Sequence, residues 1–315
     1  MDVVALGELL IDFTNIGKDG DGYPTMAAHP GGAPANLLAA LSKFGAKTAF
    51  YTKVGDDSFG HLLMDTMKQA GVDTKGMIVD PNVFTTLAFV TLDENGDRSF
   101  SFARKPGADT QLRFEELDLS LIDEAKVFHY GTLTLTHEPA RTATQKAVAY
   151  ARSKGKLITC DPNLRLPLWD DVDSCKEQLL WAVKQADVVK ISDNEVEFLF
   201  GLDPEQGAAH VLELGVKLVF VTCGEKGCYY KNAVAAGWVP ALQNIKPVDT
   251  TGAGDIFGGS AIWMLLQQQE HPGSLSEEAL RRITAFACTA AGLSTTKPGG
   301  ASSVPSLEDI QKSLI

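Results

Sequence analysis

Long apolar runs are missing from this 315-residue chain. None approaches the roughly 18 residues that a membrane-spanning helix needs. The opening MDVVALGELLIDF is apolar but short, carries acids and has no basic leader, so it does not read as a secretion signal. Basic runs are missing too. A formal net charge of −12 leaves no cationic face for a sequence-blind nucleic-acid binder. Cysteines number five, at 160, 175, 223, 228 and 288, with no CxxC and no zinc spacing. Reduced core thiols in a cytoplasmic protein are the expectation. The six histidines (29, 61, 129, 137, 210, 271) form no ligand spacing, and structural or solvent roles are expected of them. Repeats and low-complexity tracts are absent, and so is the phosphate loop GxxxxGK[ST].

What is present is a globular composition, 44% hydrophobic, long enough for a sizeable core in one large domain or two unequal ones. VVALG (3–7) predicts a buried strand, 33–45 a helix with a glycine stop, 47–55 a strand and 58–71 a second helix. Residues 14–30 are polar and rich in glycine and proline. Residues 83–105 read as a hairpin, with Glu94–Asn95–Gly96–Asp97 as its tight turn. These two segments are expected to form a small sheet projecting from the main body. From about 126 onward strands alternate with helices. That rhythm predicts an α/β fold, a mostly parallel sheet with helices on both faces. Ligands in such folds bind at the carboxyl ends of the strands, where Asp161–Arg165 and Ser192–Glu195 fall.

The stretch DTTGAGD (249–255) precedes an apolar helix, IFGGSAIWMLL. Amides at a helix start, with the helix dipole, stabilise an anion, and glycines let the backbone come close to it. Gly252, Ala253 and Gly254 are therefore candidates to hold a phosphoryl group. An acid at Asp255 is unhelpful to simple anion binding. It makes sense as the group that takes a proton from an attacking hydroxyl. An acid in the first turn is also favoured by the dipole alone, and on the heptapeptide both readings stand. A dinucleotide fingerprint is mis-spaced, since Phe257 stands where its third glycine belongs.

DTTGAGD with IFGG resembles the C-terminal signature of the ribokinase-like (PfkB) carbohydrate kinases. GGAPANLLAALSKFGAKTAFYTKVGDD (31–57) resembles their other signature, at the expected distance. The order of elements agrees, so the resemblance covers essentially the whole chain as a single kinase domain. One departure is Ser260, where the family more often has alanine or glycine. GELLIDF (7–13), FHYGTLTL (128–135), DPNLRLPLW (161–169) and KISDNEVEFL (190–199) are most similar to the fructokinase branch. Sister branches act on other sugars, sugar acids or nucleosides.

The resemblance implies a three-layer α/β core with a β lid formed by about 14–30 and 83–107. It implies transfer of the γ-phosphoryl group of ATP to a primary sugar hydroxyl, with Mg2+ and, in some relatives, K+. Asp12, at the end of the first strand, with Gly31, Gly32 and Asn36, matches the sugar contacts. A helix cap is the plainer reading of Asn36. Arg104 is expected to reach the sugar or its developing phosphate, or else to lie at the surface. Phe102 on the same lid strand covers the sugar's apolar side or packs within the lid. Arg165 matches the arginine of the sugar or phosphate site. Asn194 and Glu197 match an NxxE element that binds magnesium partly through water. Lys190 is a candidate for the nucleotide phosphates, and Gly224 and Gly227 match the turn beside adenosine. Asp249, Thr251, Gly300 and Ser303 match a loop that holds potassium. Lids in this family often pair between subunits, which implies a homodimer. The partners are then a small sugar and ATP, with no nucleic acid and no membrane.

Overall fold

The computed structural model describes residues 1–92 and 98–314. The first half runs β1 (Val3–Leu6), β2 (Leu10–Lys18), β3 (Pro24–Gly31), α1 (Ala33–Lys43), β4 (Thr48–Gly55), α2 (Ser58–Gln69), β5 (Met77–Asp80), β6 (Leu87–Leu92), β7 (Arg98–Ala103), α3 (Ser120–Glu124), β8 (Val127–Gly131) and α4 (Ala140–Ser153). The second half runs β9 (Leu157–Asp161), α5 (Val172–Gln185), β10 (Val188–Ser192), α6 (Asp193–Phe200), α7 (Pro204–Glu213), β11 (Leu218–Thr222), β12 (Cys228–Asn232), β13 (Ala236–Val239), α8 (Ala253–Leu266), α9 (Glu277–Ser294) and α10 (Leu307–Ser313).

Nine strands form the main sheet in the order β13-β12-β11-β10-β9-β8-β1-β4-β5. It is parallel from β11 to β5, and β12 and β13 add an antiparallel edge. The central strands read as unbroken apolar runs because both their faces are covered. Val4, Leu6, Phe128, Tyr130, Val189 and Val221 face one helical layer with α4, α5 and α7. Val3, Ala5, Phe50, Leu218 and Phe220 face the other, with α1, α2, α8 and α9. All five cysteines are buried and free. No helix of the described residues is long and apolar enough to cross a membrane.

The second sheet, β3-β2-β6-β7, draws on both of the segments that break the strand–helix rhythm. It begins at Leu10, earlier than the polar composition suggests. β1 ends at Leu6, so Asp12 is not at the end of the first strand but on β2. The chain crosses between the sheets over the first turn of α1, where a methyl group on Gly7 would lie 2.3 Å from Pro34 Cγ. Phe13 stacks on Phe89 at 5.2 Å and meets Phe59 of α2 edge-on at 5.5 Å, which seats the small sheet on the body. The expected turn Glu94–Asp97 lies outside the described residues.

Candidate active site

A cleft of about 720 Å³ opens between the small sheet, the starts of α1 and α8, and residues 298–300. It brings together Asp12, Gly31, Gly32, Asn36, Phe102, Arg165, Lys190, Asp249, Thr251, Gly252, Gly254, Asp255 and Gly300. Glu8, His29, Leu133 and Asn163 complete much of the lining.

Gly252 caps α8 in the left-handed region (φ 76), and a side chain there would press on Gly300 Cα at 2.9 Å. The third residue of the helix is Asp255. Its carboxylate opens onto the cleft and is otherwise enclosed. Asn36 Nδ2 donates to its Oδ2 at 2.9 Å. Burial, with the Asp161 carboxylate nearby, pushes its pKa up to about 7; the Asn36 bond, Lys190 and Arg165 work the other way. A plain helix-start acid would be solvated and held low. One raised towards neutrality in a cleft costs stability and suits a general base. Asn36 therefore orients the candidate base, besides facing the cleft. It lies inside α1, whose cap is Gly32, so it is no helix cap. The expected three-amide anion hole narrows, because Ala253 N–H already donates to Thr250 O at 3.3 Å. Among the described residues the amides of Gly252 and Gly254 donate to no carbonyl.

On the sugar side, burial raises Asp12 to about 6, with Arg165 lowering it and Asp249 raising it. Gly32 is demanded by the backbone around it, and Gly31 leaves room for the Asp12 side chain. A methyl group on Gly31 would meet Asp12 Oδ2 at 2.1 Å, and one on Gly32 would meet Glu8 O at 2.5 Å. Phe102 is half-buried and lines the cleft. Arg104 corrects the expectation: it is neither at the surface nor in the cleft. At 2% exposure it pairs with Asp109 (Nε 2.9 Å, Nη2 2.6 Å) and donates to Thr136 Oγ1 and Leu133 O. One of its bonds holds Leu133, which does line the cleft.

Sequence reasoning missed Glu8. It is 1% exposed, and its Oε1 accepts from Ala33 N at 2.9 Å while Oε2 has no partner among the described residues. Burial raises it to about 7. Its place in GELLIDF was the only signal. Glu195 was missed as well, hidden between the two residues of NxxE. It accepts from Leu164 N at 2.7 Å and so holds the loop that carries Arg165.

Asn194 and Glu197 do not line the main cleft. They are exposed on α6, in a second groove of about 510 Å³ with Asp193, Asp203, Cys223 and Lys226. The turn Gly224–Lys226 follows β11 at the same carboxyl edge. Gly227 is fixed by packing, since a methyl group there would lie 2.1 Å from Val239 O. Among the described residues no three His, Cys, Asp or Glu side chains form a metal cage. Exposed oxygen donors on α6 suit a hydrated magnesium ion instead. Asp249 ties two loops, accepting from Thr251 N at 2.9 Å and Gly299 N at 3.0 Å. Ser303 is buried and donates to Gly300 O at 2.8 Å.

Known proteins resemble this chain over nearly its whole length. The chain is 42% identical to fructokinase-2 of Solanum lycopersicum over 312 residues, 98% of this chain and 94% of that one. A crystal structure of fructokinase with bound ATP from Xylella fastidiosa superposes with a TM-score of 0.90 at 28% identity, covering 98% of this chain and 97% of that one. A fructokinase from Vibrio cholerae O395, in a form bound to fructose, ADP and calcium ion, gives 0.89 at 31% identity, with 100% and 99% covered. The fold is ribokinase-like. The pfkB family carbohydrate kinase model matches residues 1–307, and the chain belongs to that family.

Proposed function

We infer that this kinase transfers the γ-phosphoryl group of ATP to a primary hydroxyl of D-fructose, giving fructose 6-phosphate. The observation that carries the reading is Asp255, oriented by Asn36 at the amide end of α8, in a cleft whose other wall carries Asp12. Identity of 42% to a fructokinase supports the choice of sugar.

Sugar hydroxyls are held by Asp12 and by the edge of α1 around Gly32 and Asn36. The small sheet acts as the lid, and closing it keeps water from taking the phosphoryl group. Asp255 accepts the proton of the attacking hydroxyl. That oxygen bonds to the γ-phosphorus as the bond to the ADP oxygen breaks. The amides of Gly252 and Gly254 stabilise the charge on the group in transit. Arg165 adds a positive charge between Asp12 and Asp255.

The nucleotide lies along the carboxyl edge towards Gly224 and Gly227. Asn194 and Glu197 would hold a hydrated magnesium ion, which would supply positive charge to the nucleotide phosphates. A potassium ion fits among Asp249, Thr251, Gly300 and Ser303, where it would fix the loop that starts α8. Two lids pair in a homodimer and cover Ile16 and Tyr23, which are 64% and 68% exposed in the single chain.

Release of ADP from MgATP, followed over fructose, glucose, ribose, mannose, 2-keto-3-deoxygluconate and adenosine, tests the reading. Fructose is expected to be turned over best. Preference for another member would leave the kinase and refute the sugar.

A further inference from the structure

The sheet face beneath α8 should be apolar throughout. On β1 and β11 it is, with Val3, Ala5, Leu218 and Phe220. Its central strands break the pattern. His129 on β8, Thr159 and Asp161 on β9, and Lys190 on β10 share this face, because their neighbours Phe128, Ile158, Cys160, Val189 and Ile191 face the other. Polar groups set against an apolar helix cost stability. A buried ion pair is often no better than an apolar pair of the same size. This strip therefore calls for a use.

Its geometry supplies one. Asp161 is 4% exposed; its Oδ2 accepts from Lys190 Nζ at 3.0 Å, and its Oδ1 has no partner among the described residues. Lys190 Nζ lies 2.9 Å from where a methyl group on Gly254 would stand. A side chain at the second glycine of GAG would push this ammonium away from the amide end of α8. Burial works against the charge on Lys190, but Asp161, Glu195 and Asp255 outweigh it and push its pKa above the ordinary range. His129 is driven down to about 3 by burial and by Lys190, so it is neutral beside Thr159.

We propose that Lys190 is a further catalytic residue of this site, meeting the transferring phosphoryl group at Gly254 from the sheet side, with Asp161 as its positioning residue. The proposal rests on the kinase reading above. It places Lys190 at the group in transit as well as beside the nucleotide. Lys190 keeps its proton throughout. The hydroxyl proton goes to Asp255, the new P–O bond forms to the sugar, and the old one to ADP breaks. The ammonium offsets charge that is spread over the phosphoryl oxygens at that moment.

The charged and polar groups around Asp255 are Asn36 from α1, Asp161 from β9, Arg165 beyond it, and Lys190 from β10, with Glu195 of α6 behind Lys190. Removing the lysine charge raises the pKa of the base, and removing the aspartate charge lowers it. Steady-state kinetics of the full chain with fructose and MgATP therefore give a signature that a merely structural role would not. Lys190→Met is expected to lose about 100-fold or more in kcat while the fructose KM stays within about threefold. The acid limb of its kcat/KM profile is expected to move up by about 1 pH unit. Asp161→Asn is expected to move that limb down. Full kcat in a folded Lys190→Met, or two limbs that stay put or move together, would overturn the proposal. Should Lys190→Met fail to fold, the near-isosteric Asp161→Asn decides: a limb moved down supports the proposal, and a limb unmoved or raised refutes it. Wild type that phosphorylates no sugar would instead remove the kinase reading itself.

Discussion

Asp255 is held where an ionised carboxylate is costly. Its pKa in the folded chain is raised, so the folded state binds more protons than the unfolded one between about pH 4 and 7. Stability from this group is fully present below the unfolded value and is lost as pH rises through about 7. Asp255→Asn removes that penalty. The variant is expected to be more stable than wild type at pH 8, by on the order of 1–3 kcal/mol, and equal to it near pH 4. Thermal melting at the two pH values checks this. The same pKa predicts that kcat/KM for fructose climbs with pH and levels off above about 7. A profile flat from pH 5 to 8 would deny Asp255 the role of base. Asp255, Asp12 and Asn36 were legible as residues of one cleft because each stands inside a long motif. The bond from Asn36 to Asp255 was not, since 219 positions separate them. Arg104 was misread because a lone arginine after a lid strand gives no hint of its partner. Asp109 buries it, and only the fold brings Leu133 and Thr136 to the same point.

At the scale of elements, the site depends on how closely α1 and α8 approach. The second half of the motif, IFGG, serves this contact. A methyl group on Gly259 would stand 2.7 Å from the Leu37 carbonyl, which is backbone and cannot swing away. Gly259→Ala is expected to cost about 1–3 kcal/mol and to loosen Asn36 from Asp255, so both melting temperature and kcat fall. The small sheet has its own fastening. Thr86, just before β6, and Arg104, just after β7, both bond to Asp109. Arg104→Met leaves that buried carboxylate without its counter-charge, at a cost of about 3–5 kcal/mol measurable by urea unfolding. Most of these elements were legible from periodicity, because parallel strands covered on both faces leave unbroken apolar runs. The small sheet was legible as an interruption of the rhythm. Its start at Leu10 was hidden, since GELLIDF reads equally well as a continuation of the first strand.

At the scale of the whole molecule, the proposed reading has an acidic chain, with an overall charge of −12, bind an anionic nucleotide by local means: helix-end amides, Arg165 and Lys190. The corner formed by Asp249, Thr251, Gly300 and Ser303 predicts faster turnover in potassium than in sodium or a bulky organic cation. Equal rates in all three would remove the cation. The architecture was legible because two signatures and the strand–helix rhythm agree on one fold. The polar strip under α8 was not, since a strand's sequence alone does not say which helix covers it. The central claim is that Asp255 carries the chemistry. It is tested most directly by the rate of fructose 6-phosphate formation from fructose and MgATP, in wild type and in folded Asp255→Asn. The account predicts a loss of about 10²–10⁴-fold with the cleft otherwise intact. A variant as fast as wild type would make Asp255 a helix-start acid and nothing more.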